Sequence, residues 1–505
     1  MRKARPKRQG EAYRSMAPSQ GTGMNSYAND DLIAAVATPP GKGALALIRL
    51  SGKGSIEAAA EVFSRPEKLL RSPGNTIVHG WILGPPAGEQ GGRLDEVMVS
   101  VYRSPVSYTG EDSLEISCHG GIASAAVLAA LRHSGFRNAL PGEFSFRAFM
   151  NGKMDLSRSE SVMELVSAKT DRGRSNAVGR LSGVLEDEIN GIKKLLLDVL
   201  AETELYLDYS EDEADAAAGE AAGAFPGREK AEEAGERLQK LSLSWQRERL
   251  YQDGALAVIA GLPNAGKSSI FNLLLGEERS IVTEIPGTTR DWIEAWLSVE
   301  GIPLRLIDTA GLRDSGDPAE RLGVERSREL LESADLLIYV IDGERGLREE
   351  DLNFLHPGKT TILLWNKLDR AEIPEDLKFE KKVPLSETAQ VRKPKGTPVR
   401  LLPFSARTGE GMTELLAAIA GALRDTAGEV AESEGPGLGT RRQKDLVDSA
   451  LASLNEALNL AGQHEALDLI APCLREAVNA LGEITGEVSN ADMLELMFST
   501  FCVGK

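Results

Sequence analysis

The chain has 505 residues, a formal net charge of −18 and a hydrophobic fraction of 42%. This length exceeds what one hydrophobic core supports and predicts about three domains. The acidic balance argues against a broad basic surface for nucleic acid, because such binding rests on neutralising phosphates. No run of eighteen apolar residues is present that could cross a bilayer.

Residues 1–30 form a basic extension, with one acid, Glu11, in its first 23 residues. It is either a targeting segment or, as we favour, a disordered extension or a start site placed ahead of Met24. The three cysteines, Cys118, Cys473 and Cys502, have neither disulfide-framework nor metal-ligand spacing. We therefore expect a reducing, cytoplasmic compartment.

Residues 31–150 alternate short apolar runs with glycine and proline clusters, as in Ala44–Leu50 and Val97–Val101. This pattern predicts a compact α+β domain. Residues 151–249 show helical periodicity with few glycines, and the same periodicity returns in residues 429–505. The two helical stretches predict one helical domain into which the intervening residues are inserted. The acidic stretch Glu202–Glu220 is interpreted as a solvated surface.

In residues 250–428 apolar strands alternate with helical segments, an order that predicts a doubly wound, mostly parallel sheet. The stretch Glu380–Arg400 interrupts this rhythm and is interpreted as a surface loop. The predicted strands are Ala255–Ala260, Leu304–Ile307, Leu336–Ile341, Thr361–Trp365 and Leu401–Phe404.

A P-loop pattern, Gly261-Leu-Pro-Asn-Ala-Gly-Lys-Ser268, follows the first of these strands and precedes a helix. Its backbone N–H groups are suited to cradle phosphates, Lys267 to reach the β- and γ-phosphates, and the Ser268 hydroxyl to bind Mg²⁺. The strand–loop–helix context argues against a chance match. The nucleotide-binding residues predicted here are Asn264, Ala265, Gly266, Lys267, Ser268 and Ser269.

The tetrapeptide Asn366-Lys367-Leu368-Asp369 ends another strand, about 100 residues after the P-loop. It predicts guanine as the base, because the Asp369 carboxylate is an acceptor for two N–H groups that guanine offers and adenine lacks. After the final strand, Ser405-Ala406-Arg407 predicts the loop that closes on the base.

The segment Asp308-Thr309-Ala310-Gly311 ends a third strand. Here the carboxylate is suited to hold Mg²⁺ through water and the Gly311 amide to sense the γ-phosphate. Leu312 follows, where Ras-like enzymes carry a glutamine that orients the attacking water. A leucine cannot orient water, so the transition state must be stabilised in another way.

Two oxygen-rich segments suggest the replacement, namely Asn264 and the stretch Thr283-Glu-Ile-Pro-Gly-Thr-Thr-Arg-Asp291. A monovalent cation held by the Asn264 side chain and loop carbonyls would put positive charge between the β- and γ-phosphates. Thr289 is then the second Mg²⁺ ligand. The alternative is that Asn264 only stabilises its loop. The other nucleotide-binding residues predicted in this stretch are Thr283, Glu284, Ile285, Pro286, Gly287 and Thr288.

The segment Phe501-Cys-Val-Gly-Lys505 resembles the terminal F-C-[I/V]-G-K signature of the MnmE (TrmE) family of tRNA-modification GTPases. N-terminal segments agree in order and spacing, although each alone is an ordinary turn pattern. The resemblance covers about residues 31–505. The matching N-terminal segments are Ala37–Gly43, Arg49–Gly52, Ser107–Asp112, Leu114–Ile116, Cys118–Gly121, Pro141–Phe144 and Arg147–Leu156.

This resemblance implies a homodimer with an N-terminal domain that binds a one-carbon tetrahydrofolate, and a GTPase domain inserted in the helical domain. It implies an FAD-dependent partner protein that carries the FAD. Together they install an aminomethyl or carboxymethylaminomethyl group on the five-position of the wobble uridine of certain tRNAs. By position, the residues that match folate contacts are Arg49, Glu115, Lys153 and Lys505. Ordinary surface ion pairs are the alternative for each.

The resemblance also implies that Thr283, Ile285 and Thr288 join Asn264 in binding K⁺, and that Glu320 positions the catalytic water. Lys267 and Cys502 are further candidate catalytic residues. For Cys502, a packed cysteine beside the folate pocket is an equally favoured alternative.

The sequence thus favours a K⁺-stimulated GTPase that is activated by dimerisation of its G domains and drives tRNA modification. The alternative is a regulatory or ribosome-assembly GTPase that signals by nucleotide state and modifies nothing. The folate-like motifs and the terminal signature favour the first interpretation.

Overall fold

The computed structural model describes residues 27, 31–39, 41–84, 92–208, 225–277, 293–308, 330–331, 333–348, 351, 359–372, 399–426, 436–488 and 491–505. Most of the basic extension, the second half of the acidic stretch and most of Glu380–Arg400 lie outside these residues. Within the described ranges, none of the helices combines the length and the apolar character that crossing a membrane requires.

The chain divides into two compact units. One ends at Met154 and also takes the chain after Val488, and the other runs from Asp155 to Val488. The partition predicted from the sequence, with all of residues 429–505 in the helical domain, stays a prediction. In the first unit an aromatic cluster holds the last helix, where Phe498 packs against Phe146, Phe149 and Phe501.

In the first unit, six strands form one sheet in the order β3-β4-β5-β2-β1-β6. Every neighbouring pair is antiparallel except β1 and β6. Along β4 buried and exposed side chains alternate, as expected of a sheet with one face on the core. The strands are β1 (Ile33–Val36), β2 (Leu45–Ser51), β3 (Thr76–Leu83), β4 (Arg93–Tyr102), β5 (Ser113–His119) and β6 (Arg137–Asn138).

Helices cover the buried face of this sheet and bury a core of aliphatic side chains with it. Ile56 and Val127 reach this core from two different helices and are fully buried. The first four helices of the unit are α1 (Ser55–Glu61), α2 (Pro66–Arg71), α3 (Ile122–His133) and α4 (Glu143–Met150), and the last helix of the chain, α13 (Ala491–Ser499), belongs to the same unit.

The second unit contains a helical region whose core is formed by four long helices, α7, α8, α11 and α12. The helical periodicity predicted for residues 151–249 includes α7, where Ile189, Ile192 and Val199 face the core. The helices are α5 (Leu156–Ser167), α6 (Asp171–Leu181), α7 (Val184–Asp208), α8 (Arg228–Gln252), α11 (Arg441–Gly462) and α12 (Leu467–Thr485).

Between α8 and α11 lies the second sheet, in the order β12-β11-β10-β7-β9-β8. All pairs are parallel except β8 with β9. The predicted α+β, helical and doubly wound classes are therefore confirmed. Its elements are β7 (Ala255–Gly261), α9 (Lys267–Glu277), β8 (Ile293–Val299), β9 (Ile302–Asp308), β10 (Leu336–Asp342), β11 (Thr361–Asn366), β12 (Val399–Pro403) and α10 (Met412–Thr426).

The parallel strands of this sheet end at one edge, and the predicted nucleotide motifs follow four of those ends. In open α/β sheets, ligands bind in the crevice beyond the carboxyl ends of the strands. The topology therefore predicts a ligand-binding site at this edge.

Candidate functional site

The P-loop connects β7 to α9 by a turn that only glycine fits at two positions. Gly261 has φ 152° and a Cβ there would lie 2.4 Å from the Val340 carbonyl oxygen; at Gly266, with φ 104°, it would lie 2.2 Å from Asn366 Nδ2. Asn264 also takes a left-handed conformation, with φ 66°, and is exposed. The loop thus presents its backbone and the Asn264 side chain to the strand edge.

Lys267 and Ser268 begin α9, directly after this loop. The Lys267 ammonium donates to the Leu262 carbonyl oxygen across the loop at 3.1 Å. The Ser268 hydroxyl donates to Asp308 Oδ2 at 2.9 Å, and the Asp308 side chain at the end of β9 is fully buried. A hydroxyl and a carboxylate at this separation supply the oxygen ligands that Mg²⁺ prefers.

Asn366 joins three loops at the same edge. Its amide Nδ2 donates to the Ala265 carbonyl oxygen of the P-loop at 2.7 Å, and its Oδ1 accepts from the Ala406 N–H at 2.9 Å. The side chain is almost fully buried. A buried amide that uses both ends in this way holds the P-loop and the two base-recognition segments at a defined distance.

Asp369 lies in the same region with its carboxylate held by Ser405, whose hydroxyl donates to Oδ1 at 2.8 Å. This hydrogen bond is the main cause that lowers the pKa of Asp369, and nearby Arg370 and Arg407 lower it further. The carboxylate is therefore ionised and oriented at neutral pH, as an acceptor for two N–H groups must be.

Lys367 has a partner that sequence reasoning missed. Its ammonium donates to Asp342 Oδ2 at 2.7 Å and to Glu344 Oε2 at 3.2 Å. The hydrogen bond to Asp342 is the main cause that raises the pKa of Lys367. Asp342 ends β10, so the signal available in the sequence was an acid at the carboxyl end of a predicted strand.

In the first unit, Arg49 on β2 and Glu115 on β5 stand directly opposite each other. The Arg49 Nε and Nη2 both donate to Glu115 Oε1, at 3.0 and 2.8 Å. Arg49 Nη1 donates to the Gly504 carbonyl oxygen at 2.9 Å. The Arg49 Cζ atom also lies 5.3 Å from the centre of the Tyr108 ring. A single guanidinium thus joins the open sheet face to the terminal segment.

The terminal segment brings two more predicted residues close to Arg49. Burial lowers the pKa of Lys505 and the nearby Arg49 charge lowers it further, whereas Cys502 and Glu115 act in the opposite direction. Val503 forms a bridge with Pro141, which fixes the segment to the sheet unit. Lys505, Arg49 and Glu115 therefore share one electrostatic environment.

Lys153 lies beside a neighbouring loop. Its ammonium donates to the Pro105 carbonyl oxygen at 3.0 Å, and a Cβ at Gly110 would lie 3.3 Å from Lys153 Cγ. The structure thus brings three of the four predicted folate-contacting residues together and anchors Lys153 on the segment from Pro105 to Gly110.

Two family models match the chain, one described as the MnmE helical domain over residues 156–502 and one as the GTP-binding protein TrmE N-terminus over residues 32–153. The tRNA modification GTPase MnmE of Treponema denticola is 40% identical over 490 residues, which cover 95% of this chain and 100% of that protein. The chain belongs to the MnmE family.

A second relative and one solved structure are also similar to this chain. The tRNA modification GTPase MnmE of Carboxydothermus hydrogenoformans is 39% identical over 486 residues, covering 94% of this chain and 100% of that protein. The G domain of the FeoB iron transporter of T. maritima is 28% identical, covers 33% of this chain and 98% of its own, and superposes with a TM-score of 0.24. As an MnmE family member, the chain is a GTP-hydrolysing enzyme of tRNA modification.

Several residues predicted for the nucleotide site lie outside the described residues. They are Thr283, Glu284, Ile285, Pro286, Gly287, Thr288, Thr289, Thr309, Ala310, Gly311, Leu312 and Glu320. The predicted K⁺ loop, the second Mg²⁺ ligand and the water-positioning glutamate therefore remain predictions.

The three cysteines of this MnmE family member differ in accessibility. Cys118 is buried, Cys473 is half-buried and Cys502 is exposed. Burial, with the nearby Asp95 charge, raises the pKa of the Cys118 thiol to about 11. Of the three, only Cys502 combines exposure with a position near Lys505, which keeps its candidate role open to test.

A buried ion network supports the same unit, and the sequence did not indicate it. Arg147 on α4 is almost fully buried and donates to Asp31 Oδ1 at 2.7 Å and to Glu143 Oε1 at 3.0 Å. Arg137 binds the same two carboxylates. These contacts hold α4 against the start of β1.

Proposed function

We propose that this chain is a K⁺-stimulated GTPase that acts as a homodimer with an FAD-dependent partner protein. The complex installs an aminomethyl or carboxymethylaminomethyl group on the five-position of the wobble uridine of certain tRNAs. The observation that carries the proposal is the hydrogen bond from Arg49 to Gly504, which joins the terminal family signature to the Arg49–Glu115 pair. We further propose the domain partition expected from the sequence, with residues 31–150 as N-terminal domain, 151–249 and 429–505 as helical domain and 250–428 as GTPase domain.

The nucleotide chemistry rests on residues of one strand edge. Ser268 and Asp308 would hold Mg²⁺, which would supply positive charge next to the phosphates. Lys267 would release the Leu262 carbonyl and turn to the phosphates. Asp369, held by Ser405, would accept from guanine. The exposed Asn264 at the crest of the P-loop supports a K⁺ site, and Glu320 would orient the water.

A folate site is supported by the donor set around Arg49. The cations Arg49 and Lys505 suit the carboxylates of a folate glutamate tail, and Glu115 suits the amino group of a pterin. Lys153 would contribute from the neighbouring loop. Titration with 5-formyltetrahydrofolate tests this: wild type should bind and Glu115→Gln should bind more weakly by about tenfold, whereas Glu96→Gln, on the exposed part of β4, should bind as wild type.

A homodimer is supported by the open face of the N-terminal sheet. Leu45, Ile77 and Met98 lie on that face with exposures of 70, 63 and 44%. Arg49 and Glu115 lie on the same face, since all five positions alternate with buried ones along their strands. An exposed apolar surface of this kind marks an association site.

The proposed association site is tested by light scattering. Met98→Asp should yield monomers, whereas the control Leu243→Asp on α8 should not. If both variants are dimers, this face is not the association site.

The K⁺ proposal is tested by GTP hydrolysis in potassium and in sodium. Wild type should turn over at least about tenfold faster in potassium, since removing an electrostatic stabiliser typically costs more than that. Asn264→Gly should abolish the difference, because glycine keeps the left-handed backbone and removes the side-chain oxygen. Asn459→Ala, exposed on α11, is the matched control. Equal wild-type rates in both salts would refute K⁺ stimulation.

The role of Glu320 is tested by separating binding from turnover. Glu320→Ala should bind GTP as wild type does and lose most hydrolysis, because water would no longer be oriented. Glu414→Ala, exposed on α10, serves as control. Unchanged turnover in Glu320→Ala would exclude this residue.

The modification itself is tested by mass analysis of wobble uridines in tRNA from a deletion strain. Loss of the modified nucleoside, restored by the wild-type chain, is expected. Unchanged modification would favour the alternative of a regulatory or ribosome-assembly switch.

A further inference from the structure

Lys169, in the connection between α5 and α6, packs its ammonium against an aromatic ring of the G domain. Its Nζ lies 3.5 Å from the centre of the Trp296 ring on β8. The same Nζ donates to the Asp253 carbonyl oxygen at 3.4 Å. Burial is the main cause that lowers the pKa of Lys169. An ammonium this close to the ring face, and partly desolvated, makes a strong cation–π contact.

A second cation, Arg172 in the first turn of α6, repeats this arrangement. The Arg172 guanidinium carbon lies 4.4 Å from the centre of the Tyr251 ring, in the last turn of α8. Directly after Arg172 the helix has no room for a side chain, because a Cβ at Gly173 would lie 2.8 Å from the Tyr251 carbonyl oxygen. The first turn of α6 therefore fits closely on the corner where α8 enters β7.

The aromatic partner of Lys169 belongs to a hairpin that leads to the nucleotide site. Trp296 on β8 stands opposite Arg305 on β9, and Arg305 forms a two-pronged ion pair with Glu294 at 2.7 Å for each bond. The β9 strand ends at Asp308, which binds Ser268 of the P-loop helix. The paired ladder and this bidentate ion pair hold β8 and β9 together.

The β8–β9 hairpin also packs closely against Gly254, in the connection between α8 and β7. Gly254 has φ 81°, and a Cβ there would lie 2.4 Å from the Pro303 carbonyl oxygen and 3.0 Å from Trp296 Cζ3. No side chain separates this corner from the hairpin. A displacement of the hairpin at its nucleotide end must therefore slide Trp296 against Lys169 rather than be absorbed between them.

We propose that Lys169 is a positioning residue whose contact with Trp296 couples the β8–β9 hairpin to α6, so that the nucleotide state of the G domain reaches the helical region through this pair. The inference rests on the proposed function, in which GTP hydrolysis drives a tRNA-modifying complex. It assigns a role to a cation that touches neither nucleotide nor folate-binding residues.

The test uses full-length chains that replace the chromosomal copy. Lys169→Met removes the charge and keeps the length, and Lys169→Arg keeps a cation for the ring. Trp296→Leu removes the ring, and a double variant closes the cycle. Lys240→Met, exposed on α8, is the matched control. Each chain is assayed for GTP hydrolysis in vitro, for wobble-uridine modification in the cell and for its unfolding temperature.

Lys169→Met should keep GTP turnover within about twofold of wild type and lower modification by about tenfold, the size of a typical coupling between sites. Lys169→Arg should restore modification, Trp296→Leu should match Lys169→Met, and the double variant should be no worse than either. The proposal is overturned if Lys169→Met modifies normally, if the arginine variant is as defective as the methionine variant, or if the two single defects multiply. If the wild-type chain itself supports no modification, the proposed function fails instead.

Discussion

The amide of Asn366 donates to the carbonyl oxygen of Ala265, so the segment predicted to recognise the base also holds the phosphate loop. The two residues lie 101 positions apart in the chain. Asn366 thus connects the predicted base-recognition segment to the predicted phosphate loop, and loss of its side chain should affect both.

Asn366→Ala should lower GTP affinity by at least about tenfold, because each buried group left without its partner costs about 1–3 kcal/mol. The two groups concerned are the Ala265 carbonyl and the Ala406 N–H. Titration with a fluorescent GTP analogue measures the effect, and Asn459→Ala serves as control. Wild-type affinity in the Asn366 variant would mean that the P-loop holds its shape unaided.

Arg49→Met should loosen the terminal segment. Without the guanidinium, the Gly504 carbonyl loses its donor and Glu115 its partner. Hydrogen bonds to charged groups contribute about 1.5–3 kcal/mol, so exchange of amide hydrogens in residues 498–505 should accelerate by about tenfold or more. Hydrogen-exchange mass spectrometry of this peptide checks it. Arg71→Met, which breaks the exposed pair with Glu67, should leave the exchange unchanged.

The thiols should react in order of exposure. At pH 8, Cys502 should react rapidly with a disulfide reagent, since it is exposed. Cys473 should follow slowly, because burial and nearby Glu476 raise its pKa. Cys118, buried and with a pKa of about 11, should react only after unfolding. Peptide mapping identifies the sites, and Cys502→Ser should remove the fast phase; a fast phase that persists would contradict this assignment.

Asp31 should make the N-terminal unit sensitive to acid. Burial alone would raise its pKa, but the hydrogen bonds and charges of Arg137 and Arg147 outweigh burial and lower it. A carboxyl group whose pKa is lower in the folded state stabilises that state above the ordinary carboxyl pKa of about 3.9. This stabilisation is lost as the pH falls through the folded-state pKa.

Asp31→Asn should therefore unfold at lower temperature than wild type at pH 7, and this difference should shrink on acidification below about pH 3.9. Scanning calorimetry across this range measures it. Asp171→Asn, whose carboxylate is 98% exposed, should show no difference at either end. A difference for Asp31→Asn that stays constant with pH would show that the carboxylate charge is not responsible.

Much of the nucleotide site was predictable because each motif is short and follows a strand. The P-loop is recognisable from its glycine spacing and from the strand before Gly261. Because the strands of the sheet are parallel, Asn366 at the end of another strand lies at the same edge. Side-chain contacts between different loops at this edge were not predictable. Asp342 is an example, because only the folded sheet brings its Oδ2 to 2.7 Å from Lys367 Nζ.

Two fold features escaped prediction for different reasons. Strand β8 was missed because Ile293–Val299 lies at the sheet edge, where polar and apolar residues mix and no long apolar run marks a strand. The packing neighbours of residues 491–505 were not predicted for another reason: helical periodicity indicates an element but not its neighbour. Only the aromatic contacts of Phe498 decide that neighbour.

The docking of residues 491–505 on the first sheet has a consequence for the order of synthesis. The strands that carry Arg49 and Glu115 leave the ribosome before residues 155–488 exist, and their last neighbours arrive after the whole second unit. Until then Arg49 has its carboxylate partner but not the Gly504 carbonyl. A chain truncated before residue 489 would keep every described nucleotide motif but lack residues 489–505 of its first unit. GTP hydrolysis is therefore a poor measure of whether residues 489–505 are present and folded, whereas protection of this peptide from exchange reports both directly.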